Sequence, residues 1–431
     1  MANEWRRSTW GEEISLEYGK GLRGYKDAKG PCRVYGSNGP VGWTTKPLTD
    51  GPGVILGRKG AYRGVEYSKK SFFVIDTAYY VKPKTELDMR WIYYAIQHYK
   101  LGEINDGSPI PSTTRAAVYV RELDVPLHHE QRAIAHILGS LDDKIELNQR
   151  MNETLEAMAQ ALFKSWFSDF DPVIDNALAA GNTIPEELQA RAALRESLGD
   201  ARKPLPDALR NLFPSEFVTT EEMGRIPKRW KVVPAEKALN INPRVQLKKN
   251  TIVPFVDMKA LPISGFSITE VSQKAYSGGA KFNNGDVLLA RITPCLENGK
   301  TGIVDFLDGD EVGFGSTEFI VFRGSGSITT PFVACLSRLT SFREHCIQSM
   351  VGSSGRQRVQ NACFSNYYLA VPPDNDLLNN FDRLVRGNFD KITEQTAQNR
   401  TLTQLRDNLL PKLLSGEMRI PDAEKLVEAV A

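Results

Sequence analysis

The sequence predicts an α+β protein: two similar mixed α/β domains separated by two long antiparallel helices that pair as a coiled coil, with pseudo-two-fold character. Three observations carry that expectation. Residues 138–168 (LGSLDDKIELNQRMNETLEAMAQALFKSWFS) and 385–415 (VRGNFDKITEQTAQNRTLTQLRDNLLPKLLS) align without a gap at an offset of 247. Asp143-Lys144-Ile145 then falls on Asp390-Lys391-Ile392, Asn152 on Asn399 and Ser168 on Ser415. Apolar residues recur in three-four alternation along both copies, the spacing of a coiled-coil seam. Each copy also follows a globular stretch of short β-forming runs and turns.

The 431 residues are too many for one ordinary domain, and two cores with connectors are expected. The order read from the chain is a first block (1–125), a first long helix (126–170), a connector (171–224), a second block (225–372), a second long helix (373–415) and a C-terminal tail (416–431). In the first block, Val54-Ile55-Leu56, Ser71–Ile75 and Ala78–Val81 read as strands, Trp91–Ile96 as helix, and Asn105–Thr114 as loop. The first helix carries Leu138, Leu141, Ile145, Leu155, Leu162 and Trp166, with Asn148, Asn152 and Ala159 completing its seam. The second carries Val385, Asn388, Ile392, Gln395, Asn399, Leu402, Arg406, Leu409 and Leu413. Amides weaken each seam near its middle; they cost stability but fix register and partner, and the two helices are expected to pack on each other. Five prolines between 172 and 214 mark the connector, with a charged helical run at 186–195. The second block repeats the first. Gly285–Arg291 matches Pro52–Arg58 at an offset of 233, Ser316–Val321 matches Asp76–Val81 at 240, and the loop 351–358 (VGSSGRQR) takes the place of 105–112.

A hydrophobic content of 41% and a charged content of 25% are those of a soluble globular protein. No apolar run approaches a bilayer span, and the start (MANEWRRSTWGEE) has no apolar signal core, so the cytoplasm is the expected location. Five scattered cysteines without a C-x-x-C pair argue against a disulfide framework or a zinc ribbon. His128, His129 and His136 lack the spacing of a metal helix. The net charge of +2 hides an asymmetry. Residues 1–125 carry 19 Lys and Arg against 14 Asp and Glu, and residues 225–372 carry 18 against 11. That leaves 17 basic against 27 acidic residues for the helices, connector and tail. Two basic blocks on an acidic frame suit a polyanion ligand.

At this point specific strings resemble a known family. Pro126-Leu127-His128-His129-Glu130-Gln131-Arg132-Ala133-Ile134, LDDKIELNQRMNETLE at 141–156, LFKSWFSDFDPV at 162–173, Gly224–Trp230 (GRIPKRW) and Leu413–Glu417 are similar to the specificity (S) subunits of Type I restriction-modification systems. Two departures stand out. The second helix opens without Glu-Gln-Arg, and Arg229 stands where the family often has glycine. The resemblance implies two target-recognition domains, each followed by a long helix, and a subunit that does no chemistry itself. Such a subunit would hold two modification (methyltransferase) subunits, and through them restriction (motor-nuclease) subunits, on a two-part double-stranded DNA site. S-adenosylmethionine, ATP and Mg²⁺ would serve those partners, with no cofactor in this chain. A DNA-binding or coiled-coil adaptor outside restriction is the alternative.

The residues agree that the catalytic parts are missing. Adenine methylation needs a strand end that holds a flipped base, and Asn242-Pro243-Arg244 lacks the second proline and the aromatic stacker. A phosphate loop needs a glycine where Pro294 stands before Gly299-Lys300-Thr301. Base reading needs donors and acceptors on loops, with Lys and Arg on the rim for phosphates. The candidates in the first block are Tyr35, Ser37, Asn38, Arg58, Lys59, Ser108, Thr113 and Arg115. Those in the second are Arg291, Asn298, Lys300, Ser353, Ser354, Arg356, Gln357 and Arg358, with the last run the strongest because Arg and Gln pair bidentately with base edges. Helices of ~60 Å would set the spacing of half-sites, which recur every ~34–36 Å on one face of the duplex.

Overall fold

Buried, β-rich runs decide where the cores form. The chain makes two compact units, Met1–Leu147 with Asn399–Ala431, and Asn148–Gln398. The structure, a computed structural model, describes residues 5–104, 111–199, 202, 204–353 and 355–429.

In the first unit the strands are β1 (Arg6–Thr9), β2 (Ile14–Tyr18), β3 (Cys32–Gly36), β4 (Gly39–Thr44), β5 (Gly53–Gly57), β6 (Val65–Ser68), β7 (Phe72–Val74), β8 (Ala78–Pro83) and β9 (Glu122–Val125). They form an antiparallel sheet in the order β2-β8-β5-β6, a sheet β4-β3-β7 whose β3–β7 pair is parallel, and a β1–β9 ribbon. Every residue of β5 is buried. A strand flanked on both sides reads as a continuous apolar run, which is why Val54-Ile55-Leu56 is legible in the sequence. The helix Met89–His98 closes this core. Asp88 caps it by accepting from the Arg90 and Trp91 amides, and its inner face buries Trp91, Ile92 and Tyr94–Ile96.

The second unit repeats the plan. Its strands are β10 (Phe217–Thr220), β11 (Gly224–Pro227), β12 (Lys231–Pro234), β13 (Asn240–Ile241), β14 (Ile252–Val256), β15 (Ser272–Ala275), β16 (Ala280–Phe282), β17 (Val287–Ala290), β18 (Thr301–Ile303), β19 (Gly313–Gly315), β20 (Phe319–Arg323) and β21 (Tyr368–Val371). The order β13-β20-β17-β18 mirrors β2-β8-β5-β6, and β17 is buried throughout. The sheet β15-β14-β19-β16 has its own parallel pair, β14–β19, and the β12–β21 ribbon answers β1–β9.

The long helices span His128–Phe167 and Asp376–Leu414. Within the first unit Leu138 and Leu141 share a core with Leu402, Leu409 and Leu413, and Arg406 reaches Asp142 at 2.8 Å. Within the second, Asn148 donates to Gln398 at 2.8 Å, Asn152 to Thr396 at 3.5 Å and Asn388 to the Leu155 carbonyl at 3.3 Å. Partner numbers fall as residue numbers rise, so the helices run antiparallel, and the seam amides find partners.

Two of the repeated helix strings have packing roles. In the L-D-D-K-I string, Asp142 takes Arg406 and the Tyr94 hydroxyl (2.6 Å), while Asp143 takes both terminal nitrogens of Arg90 at 2.9 and 2.7 Å. The Arg90 contact holds the Asp143 carboxyl down at about 2. In the 162–173 string, Phe163, Trp166, Phe167 and Phe170 are buried with Phe213, Trp230, Phe332 and Phe381. The connector is thereby drawn into the core. Its helices Asp171–Ala180 and Gln189–Ser197 are joined by Arg191 on Asp171 (2.7 Å) and by Arg195 on Asp175. The C-terminal segment carries a helix, Ile420–Glu428, that buries Ala423.

Candidate nucleic-acid interface

Both units build the same backbone clasp at the end of their central strand. In the first unit β5 ends at Gly57, and the Arg58 amide donates to the Thr77 carbonyl at 3.0 Å. The Arg58 carbonyl accepts from the Thr113 amide at 2.9 Å, and the Gly60 amide donates to the Pro111 carbonyl at 3.0 Å. In the second unit β17 ends at Ala290. The Arg291 amide donates to Glu318 (2.9 Å), the Arg291 carbonyl accepts from Val359 (2.9 Å), and the Thr293 amide donates to Gln357 (3.0 Å). These bonds draw Arg58, Lys59, Thr113 and Arg115 together in one unit, and Arg291, Gln357 and Arg358 together in the other.

The side chains at the first clasp divide by environment. The Arg58 guanidinium donates to the Asp76 carbonyl at 2.9 Å and lies 4.9 Å from the centre of the Tyr18 ring. Arg115 shares that ring at 4.1 Å and stands 3.9 Å from Glu17. Tyr18 is 46% exposed, so it offers a wet aromatic ring held between two cations. Burial, with the Tyr18 hydroxyl alongside, pushes the Tyr79 hydroxyl up to about 12, so it stays neutral. Lys59 and Asn38 are exposed, Asn38 at the tip of the β3–β4 hairpin. Ser37 is a staple: its hydroxyl donates to the Thr77 carbonyl at 2.7 Å and accepts from the Lys59 amide at 3.1 Å.

Tyr35 and Thr113 are packing residues. The Tyr35 ring is buried edge-on against Phe72 because β3 faces that core. Thr113 is 0% exposed and accepts from Arg63 at 3.1 Å. Ser108 lies outside the described residues.

At the second clasp Asn298, Ser353 and Arg356 are exposed and Gln357 is half-buried. Three of the predicted cations are engaged internally. Arg291 donates to the Val359 carbonyl at 2.7 Å. Lys300 donates to the Met258 carbonyl at 2.8 Å. Arg358 grips Glu318 in a fork, with contacts of 2.6 and 2.9 Å. Ser354 lies outside the described residues.

Sequence reasoning passed over three residues here. Tyr18 reads as an ordinary strand aromatic. Arg63 fastens its loop through the Gly60 (2.6 Å), Gly102 (2.9 Å) and Ile104 (2.9 Å) carbonyls. Tyr62 beside it is 78% exposed. An aromatic between two glycine turns (Gly60 and Gly64) was the available signal. Among the described residues no group of three His, Cys, Asp or Glu stands close enough to hold a metal ion, and no helix is long and apolar enough to cross a membrane.

Each unit thus carries one clasped segment with exposed polar side chains, together with part of both long helices. Residues 33–157 match the family described as the Type I restriction modification DNA specificity domain. The HindI specificity subunit of a Type I restriction enzyme of Haemophilus influenzae is 26% identical over 351 residues, covering 75% of this chain and 74% of the relative. The MjaIX specificity subunit of Methanocaldococcus jannaschii is 26% identical over 359 residues, 79% of this chain and 71% of the relative. The solved S subunit of a Type I restriction-modification system from M. genitalium aligns with a TM-score of 0.54 at 15% identity, over 95% of this chain and 96% of that one, and so shares the fold. The chain is thus similar to the specificity subunits of Type I restriction enzymes, the family that its helix strings resemble.

Proposed function

We propose that this chain is the sequence-recognition subunit of a Type I restriction-modification complex and makes or breaks no bonds itself. Residues 1–125 and 225–372 are its target-recognition domains, carried on the helices 126–170 and 373–415. Each domain reads one part of a two-part target in double-stranded DNA. Two modification (methyltransferase) subunits dock on the chain and bring restriction (motor-nuclease) subunits with them. S-adenosylmethionine, ATP and Mg²⁺ serve those partners, and the complex works in the cytoplasm.

The observation that carries this reading is the duplicated clasp. The same main-chain bonds hold a polar, cationic segment at the end of the central strand in both units, and both blocks carry an excess of Lys and Arg. Exposed Asn38, Lys59, Ser353 and Arg356 supply the groups that meet base edges and phosphates. Co-expressed with its methyltransferase subunit, the chain directs adenine methylation to one two-part sequence, detected by sequencing the methylated sites. Arg356→Ala weakens cognate binding by about 1–3 kcal/mol and relaxes the bases of one part only. Equal loss on cognate and random duplex would make Arg356 a phosphate contact. Binding indifferent to salt would overturn the DNA reading.

A further inference from the structure

The second unit contains an open cleft of about 1110 Å³ beside its clasp. One wall is the segment 242–248, the other is β16, and the floor includes Phe319 and Val321 of β20. Its charged side chains are Arg244, Lys248, Lys281 and Arg291, and no carboxylate lines it. Arg244 and Lys248 are exposed and Lys281 is half-buried. Among the described residues none of these three has an acidic partner within ion-pair distance. Some other surface lysines of the same unit do have carboxylate partners, as Lys228 has Glu216 at 2.8 Å and Lys259 has Glu270 at 3.1 Å. Like charges gathered in one concavity repel each other, and that arrangement concentrates anions.

The walls are held in place. Asn242 takes a left-handed φ of 49°; its amide donates to the Val321 carbonyl at 2.7 Å, and its side-chain oxygen accepts from the Val321 amide at 3.0 Å. Pro243 and Arg244 therefore leave β20 at a fixed point. At Gly279 (φ 121°) a Cβ would stand 2.0 Å from the Gly315 carbonyl oxygen. Only glycine lets the chain close against β19 there, and that approach sets Lys281 in the opposite wall. Arg291 joins the cleft to the recognition segment, since it lines the cleft while its side chain and carbonyl both bond Val359.

We infer that this cleft binds the phosphodiester backbone of duplex DNA and so sets the position from which the adjoining segment 351–358 meets the bases. The inference rests on the DNA-recognition reading above and adds its anchoring site. Lys248 and Lys281 are point charges and Arg244 is a planar fork, the groups that recognise phosphate irrespective of sequence.

The test uses the full chain and a fluorescent 40-base-pair duplex of random sequence, with affinity measured across a salt series. In the triple variant Arg244→Ala, Lys248→Ala, Lys281→Ala, the slope of log affinity against log salt becomes shallower by about two to three, at close to one for each phosphate that is no longer neutralised. Selection from a random duplex pool still enriches the same bases as the parent. The charge-conserving variant Arg244→Lys, Lys248→Arg, Lys281→Arg keeps the parental slope, which separates charge from folding. An unchanged slope in the alanine variant, altered base preference, or a cleft-dependent preference for duplex RNA over duplex DNA would each overturn the assignment. A parent that fails to bind the duplex would overturn the DNA reading and the cleft with it. A parent that binds while the variant matches it would overturn the cleft alone.

Discussion

Replacing Glu156 by Gln tests how the second domain sits on the first long helix. Glu156 is only 5% exposed. One carboxylate oxygen accepts from the Phe266 amide at 2.9 Å, and the other lies where a Cβ on Gly265 would come within 3.0 Å. Arg338 is the nearby cation, but its terminal nitrogens serve the Ile263 (2.9 Å), Thr301 (3.0 Å), Pro262 (3.2 Å), Gly299 and Gly265 carbonyls. Burial therefore prevails over the Phe266 amide and Arg338 and pushes the carboxyl up to about 7. Below its ordinary value of 4.5 the group is protonated in both folded and unfolded chains and makes no difference to stability. Between 4.5 and about 7 the unfolded chain gives up its proton while the folded chain keeps it, so stability falls. Above 7 the loss is complete, and it amounts to about 3 kcal/mol at ~1.4 kcal/mol per unit. Gln keeps an acceptor for the Phe266 amide and cannot ionise. Glu156→Gln should match the parent near pH 4.5 and exceed it by up to about 3 kcal/mol at pH 8. Urea unfolding between pH 4.5 and 8 measures this. A variant no more stable than the parent at pH 8 would show that Arg338 neutralises the charge and that the reasoning is wrong.

Two further substitutions test the packing. Arg229 has a left-handed φ of 72°, which costs a side-chain-bearing residue about 1–2 kcal/mol, partly offset by the chain entropy that glycine loses on folding. Arg229→Gly should raise the stability of the second unit by about 0.5–1 kcal/mol in thermal melts, and a lower melting temperature would count against it. Leu402 is 1% exposed in the helix seam, and Leu402→Ala should cost about 2–5 kcal/mol in urea unfolding. A cost under ~1 kcal/mol would mean that the seam is not close-packed there.

What the sequence made legible is what local periodicity encodes. The two long helices and the central strands Val54–Leu56 and Val287–Leu289 each announce themselves within a window of a few turns or residues, and the duplicated blocks follow from matching such windows along the chain. The departure noted at Arg229, where the resembling family often has glycine, falls on a left-handed backbone. What was not legible is which polar side chains are already committed. Arg358 is taken up by Glu318, 40 residues away, and Lys300 by the Met258 carbonyl, 42 away. Tyr35 and Thr113 are buried by sheets and loops that close only in the tertiary structure. The cleft cations come from positions 244–248, 281 and 291, which no short window joins. Tyr18 was hidden for the same reason: Arg58 and Arg115, which share its ring, come from two distant stretches of chain.

The clasps rely on amide and carbonyl groups, which every residue except proline supplies in full. Substituting exposed side chains such as Asn38, Lys59 or Arg356 therefore leaves these main-chain bonds in place, whereas Ser37, Arg63 and Arg291 fasten the clasps through their side chains as well. A chain fastened in this way can vary its exposed loop side chains while the frame beneath them stays put.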